Sequence, residues 1–103
     1  MRIYLAGWTK ETFYRFYCHK NFSECNGLQI IDPLKFADQT HPDLVLLDKQ
    51  LMDSCDVLVA YISRASFGTV QEILYCYERD ITVFIITPKK HQKNPWLKHH
   101  TTK

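Results

Sequence analysis

The chain has 103 residues, enough for one domain with its own core. Apolar residues make up 46% and charged residues 23%, a globular balance that excludes a disordered or fibrous chain. A formal net charge of +2 argues neither for nor against nucleic acid, and no apolar run reaches the ~18 residues of a membrane helix.

Basic residues gather in residues 89–103, which read as a tail on a nearly neutral core spanning residues 2–88. Met1 leads straight into a strand-like segment, so no signal peptide is visible, and a cytoplasmic protein is expected. The four cysteines, Cys18, Cys25, Cys55 and Cys76, form no CxxC pair, and Cys55 and Cys76 fall in expected core elements. Free thiols in a reducing compartment follow. Cys18, His19 and Cys25 match no standard zinc spacing, so no metal site is assigned.

In chain order, residues 2–6 form a short apolar run ending at Gly7, the first strand. Thr9 is placed to cap a helix over roughly residues 10–20. Its Phe13, Phe16 and Tyr17 share one face, which is expected to pack into the core. Asn26-Gly27 is turn chemistry. The second strand covers residues 28–31 and is closed by Asp32-Pro33. Residues 33–42 read as an irregular surface loop. A helix over residues 43–54 has Leu44, Leu47 and Leu51 as its core stripe. The third strand, residues 57–62, is almost wholly apolar, as for a strand covered on both faces. A helix over residues 67–79 has Phe67, Val70, Leu74 and Tyr77 as its apolar stripe. The fourth strand covers residues 82–86, and the tail follows as a solvated, partly disordered end with a short helical turn near Trp96 and Leu97.

Strands alternating with helices predict one flavodoxin- or Rossmann-like α/β domain over residues 1–103, with three layers and a parallel sheet in the order 2-1-3-4. The switch point lies between strands one and three, where ligands bind in such sheets. Gly7-Trp8 and Ser66-Gly68 should face each other across that crevice.

Several residues there could carry chemistry. Glu72 lies early in the third helix. Thr69-x-x-Glu72 is a capping-box pattern, which accounts for the carboxylate without catalysis; an aimed carboxylate accounts for it equally. Asp48 borders the apolar stripe of its helix, where it must be paired, bonded or reach water; Lys49 and Arg2 are candidate partners. Two carboxylates at the ends of neighbouring elements also suit glycosyl chemistry, one attacking the anomeric carbon and the other handling the leaving-group proton. Tyr4 is a core tyrosine whose hydroxyl is near enough to orient Glu72. Ser66 either caps the third helix or holds a phosphate. Gly68 is a weak signal, because no Walker or Rossmann glycine fingerprint is present.

Taken together, Ile3-Tyr4-Leu5-Ala6-Gly7-Trp8, Asp48, Cys55-Asp56-Val57-Leu58-Val59-Ala60 and Gly68-x-x-x-Glu72 resemble the nucleoside 2-deoxyribosyltransferase family, including its nucleotide N-glycosidase branch. The resemblance covers residues 2–86. It implies that Glu72 is the nucleophile at C1′ of the sugar, that Tyr4 positions it, and that Asp48 holds the sugar or assists departure of the base. Gly7, Trp8, Ser66, Gly68 and Thr69 would contact a nucleoside or its 5′-monophosphate. Where the deoxyribosyltransferases usually carry Asp six residues before the nucleophile, this chain has Ser66, as in the branch that hydrolyses nucleotides. Trp8-Thr9-Lys10-Glu11 looks more like the transferases. Leu74 stands where the family usually has Gly and would crowd the nucleophile helix. The resemblance implies no cofactor or metal and a homo-oligomer, such as a dimer. No membrane or polymeric nucleic-acid partner is expected. The alternative is a catalytically weak nucleotide-binding module of the same fold.

Overall fold

The structure, a computed structural model, describes residues 1–10, 12–22, 25, 27–36 and 38–102. Its elements run β1 (Arg2–Gly7), α1 (Thr12–Phe22), β2 (Gln29–Ile31), α2 (Leu44–Asp53), β3 (Val57–Tyr61), α3 (Phe67–Glu78), β4 (Thr82–Ile86) and α4 (Pro95–His100), with 3-10 turns at Pro33–Lys35 and Lys89–His91. The four strands form one all-parallel sheet in the order β2-β1-β3-β4, as the alternation of elements predicts. No helix among the described residues is long and apolar enough to cross a membrane.

Side-chain alternation along β1 divides the core in two. Tyr4 and Ala6 join Leu58, Ala60 and Val83 beneath Met52 of α2 and Ile73 and Cys76 of α3. Leu5 points the other way, to Tyr14 and Cys18 of α1. Tyr14 stacks on Tyr61 with ring centroids 5.1 Å apart, and its hydroxyl donates to the Val59 carbonyl at 2.8 Å. The second face carries α1 towards its β1–β2 side, so Phe84 and Ile86 of β4 remain exposed where full coverage of an apolar strand is expected.

Two helices are rotated relative to their apolar patterns. In α1 the buried residues are Tyr14, Arg15 and Cys18, while Phe13 is 78% exposed and Phe16 and Tyr17 are also exposed. In α3 the buried residues are Thr69, Ile73 and Cys76, while Phe67, Val70, Leu74 and Tyr77 face outward. In α3 the inward face packs close to small strand residues such as Ala6 and Ala60, where Thr, Cys and Ile fit, and bulk is displaced to the outside. In α1 the inward side is set by Tyr14 and Cys18 against Leu5 and by the bonds of Arg15 to the end of β1. In α2, Met52 is the buried residue, with Leu44, Leu47 and Leu51 half-buried. A second tie joins α2 to α3: Asp53 accepts from the Tyr75 hydroxyl at 2.8 Å, and the Arg79 guanidinium lies 3.5 Å over the Tyr75 ring.

Several local expectations shift. α1 begins at Thr12, so Thr9 stands three residues ahead of it and is not its cap. Of the Asn26-Gly27 turn, Gly27 has φ +82°; Asn26 lies outside the described residues. The loop after β2 contains a 3-10 turn capped by the Asp32 carboxylate, which accepts from the Leu34 amide at 3.1 Å. The tail has no buried residue in its two helical turns, as expected of a solvated end, but it is tied to the domain: the Tyr77 hydroxyl meets His99 Nε2 at 3.2 Å, and the Thr102 amide donates to the Val83 carbonyl at 2.7 Å on the outer edge of β4.

After α3 the chain reverses through Asp80, at φ 59°. The Ile81 amide closes back on the Cys76 carbonyl at 3.0 Å, a helix stop that favours glycine at the left-handed residue. Asp80→Gly should therefore stabilise the domain by about 0.5–1 kcal/mol, measured as a raised urea midpoint with an unchanged slope.

Candidate functional site

The carboxyl ends of β1 and β3 open into a cleft of about 600 Å³. One side is formed by Gly7, Thr9 and the Pro33–Leu34 turn, and the other by α2 at Leu44, Val45 and Asp48 and by the start of α3 from Ser66 to Thr69. Gly7 has φ +156°, and a Cβ there would sit 3.1 Å from the Tyr61 carbonyl, so the strand turns towards the cleft at a position that suits glycine. Gly7 and Ser66–Gly68 do face one crevice, as expected. Trp8 does not line it; Arg64 lies 4.4 Å over its ring and Lys10 5.9 Å from it, a cation–π stack beside the cleft.

Glu72 lines the cleft, and the Tyr4 hydroxyl donates a hydrogen bond to its Oε2. This arrangement excludes the capping box. Phe67 is the first residue of α3, so Glu72 lies a full turn beyond the position that reaches back to a cap. Ser66 is the N-cap by backbone, with no side-chain cap bond, which leaves its hydroxyl for other use. Thr69 is buried and lines the cleft. At Gly68 an added Cβ would meet nothing within 4 Å, so its lack of a side chain keeps the wall open rather than serving the backbone. Leu74 sits half-exposed on the rim and does not crowd the Glu72–Tyr4 contact.

Burial sets the electrostatics. Desolvation raises Glu72 to about 7; the Tyr4 bond and Arg15 oppose the rise, and Asp48 adds to it. Asp48 is also pushed up, by its own burial, against the pull of Arg15. Its Oδ1 is buried without a hydrogen-bond partner among the described residues, and no ion pair to Lys49 or Arg2 forms among them. Arg2 instead donates to Gln29 and Ser54. Burial and the Glu72 charge hold the Tyr4 phenol far above its ordinary range, so Tyr4 stays a donor. Two carboxyls that line one cleft, both pushed up by burial and one with an unpartnered oxygen, are an arrangement suited to acid–base work.

Two residues were missed by reading the sequence. Arg15, 6% exposed, lies in an ion pair with Asp32 at 2.8 Å and lines the same cleft. The available signal was an arginine among aromatics on a helix, with an acidic residue closing the next strand.

No protein-family model matches the chain, and no curated protein matches it. Among solved structures it is similar to a conserved protein from Enterococcus faecalis V583, at 20% identity and a TM-score of 0.73, over 92% of this chain and 68% of that one. That likeness establishes the fold. The class defined here is a parallel α/β domain with a paired-carboxyl cleft at the switch point of its sheet.

The raised Glu72 value makes a stability prediction. Between pH 4.5, its ordinary value, and about 7, the folded state keeps a proton that the unfolded chain releases, so stability falls as pH rises through that window. Glu72→Gln, which cannot ionise, should raise Tm at pH 8 by roughly 5 °C or more. The gain should vanish towards pH 4.5 in thermal melts across the range.

Proposed function

We propose that this domain cleaves or transfers the N-glycosidic bond of a nucleoside, deoxynucleoside or 5′-monophosphate, with Glu72 as nucleophile. The observation that carries the reading is the Glu72 carboxyl on the cleft wall, bonded to Tyr4 and electrostatically coupled to Asp48.

The ionised Glu72 attacks C1′ of the sugar. The C1′–N bond breaks as the C1′–Oε bond forms, and the departing base takes a proton from the acid form of Asp48, the form that burial favours. Water, or a second base, then attacks C1′ and releases the carboxylate, returning a proton to Asp48. The Tyr4 hydroxyl fixes the orientation of the nucleophile throughout. The unused Ser66 hydroxyl and the first turn of α3 suit a 5′-phosphate. Nothing in this scheme calls on a metal or organic cofactor.

The outward stripe of Phe67, 95% exposed, with Val70, Leu74, Val45 and Leu46 adjoins the cleft. Such a continuous apolar face supports a homodimer that closes the site. Four unpaired cysteines suit a reducing cytoplasm.

Incubation with mixed deoxynucleosides, nucleosides and their monophosphates should liberate free nucleobase, read by chromatography. Glu72→Ala should lower that release by about 10³-fold or more with the fold intact. The acid limb of the kcat/KM profile should rise as Glu72 ionises, near 7, because the nucleophile must be ionised, and the need for a protonated Asp48 should pull the alkaline limb down. Unchanged turnover in Glu72→Ala removes Glu72 as nucleophile. Thermal stabilisation by nucleotides with no base released would instead identify a binding module. In sedimentation, Phe67→Glu/Leu74→Glu should convert dimer to monomer.

A further inference from the structure

The edge of β1 next to β2 is only half paired. β2 pairs with β1 from Arg2 to Tyr4 and stops at Ile31, whereas β3 follows β1 to Gly7. The next residues after β2 are Asp32 and Pro33, and proline has no amide to donate. Beyond Tyr4, the β1 carbonyls that face this gap need another donor.

Arg15 supplies it. Nη1 donates to the Leu5 carbonyl at 3.3 Å and to Asp32 at 2.8 Å, and Nη2 donates to the Gly7 carbonyl at 2.9 Å. One planar fork thus replaces the missing strand for two residues, a geometry that lysine cannot copy. The strand end held in this way carries Tyr4 at one end and the Gly7 wall of the cleft at the other.

We propose that Arg15 is a positioning residue of this site: its guanidinium clamps the carboxyl end of β1 and sets a buried positive charge in the wall of the cleft that Glu72 and Asp48 also line. The groups that face this arrangement come from every packed element. Tyr4 lies on β1, Asp32 follows β2, Asp48 lies on α2, Glu72 and Cys76 lie on α3, and Tyr14, Cys18 and His19 share α1 with Arg15. His19 touches the second oxygen of Asp32 at 3.4 Å. Arg15 opposes the upward pull on Tyr4, Asp48 and Glu72 alike. Asp32 neutralises part of its charge and anchors the fork. The activity consequence rests on Glu72 as the reacting carboxylate; the electrostatic one does not.

The test is a side-chain carboxyl titration of Glu72 by ¹³C NMR on the full chain, with Glu72→Gln to assign the resonance. Arg15→Met/Asp32→Asn should raise the Glu72 midpoint by about one pH unit. Asp32→Asn alone, which keeps a cap for the 3-10 turn and unmasks Arg15, should lower it. Arg15→Lys should hold the midpoint within a few tenths while it loses the carbonyl clamp and raises KM. Relative to the parent at the same pH, base release by the double variant should fall about fivefold at pH 7 and recover by pH 9. A midpoint in Asp32→Asn equal to the parent overturns the proposal, whether or not the double variant folds. So does an equal loss of activity at every pH, which is what a purely structural role gives. If the parent itself releases no base, the catalytic reading fails and the titration still decides the role of Arg15.

Discussion

A carboxylate removed from water and held by a phenol organises this structure. Glu72 leaves solvent because α3 lies directly on the sheet, with Thr69, Ile73 and Cys76 as its contact residues. It meets Tyr4 because the first strand runs beneath that helix. The two residues are 68 positions apart, so only the completed βαβ topology brings them together. A hydrogen bond to the ionised form and burial against it act in opposite directions. The outcome, near 7, is a group that can change protonation state under neutral conditions.

The cost of that arrangement is spread over neighbours. Burial raises Asp48 and leaves one of its oxygens unpartnered. Such a group is expensive in a folded protein and is tolerated where a ligand or a reaction uses it. The ion pair of Arg15 and Asp32 is similarly costly to bury and gains little by itself. Here it is offset by two carbonyl bonds at a strand end that lacks a partner. Both features converge on the same cleft, and neither is needed merely to close the core.

Much of the architecture was legible in the pattern of residues. The apolar runs at β1, β3 and β4, with helical segments between them, dictate a parallel sheet whose order follows from right-handed crossovers. Ser66, Gly68 and Glu72 were readable as strand-end residues for the same reason. What failed was the orientation of helices. Phe67, Val70, Leu74 and Tyr77 make a good wheel, as do Phe13, Phe16 and Tyr17, yet both sets face outward. Hydrophobic periodicity finds an apolar stripe but not what covers it. In α3, which is apolar on more than one side, close packing against Ala6 and Ala60 selects the side with Thr, Cys and Ile. The Arg15–Asp32 pair left only a faint signal for a different reason: a buried charge is recognised by its partners, and the backbone carbonyls of Leu5 and Gly7 leave no mark in a sequence.

The outer margin of β4 is covered in part by the tail. Thr102 lies along it, with its amide on the Val83 carbonyl and its hydroxyl accepting from the Val83 amide at 3.1 Å. An open strand margin is a template on which foreign strands add and aggregates grow. Thr101 and Thr102 blunt that template at Val83. Strand addition along this margin, which has no natural end, is thereby obstructed.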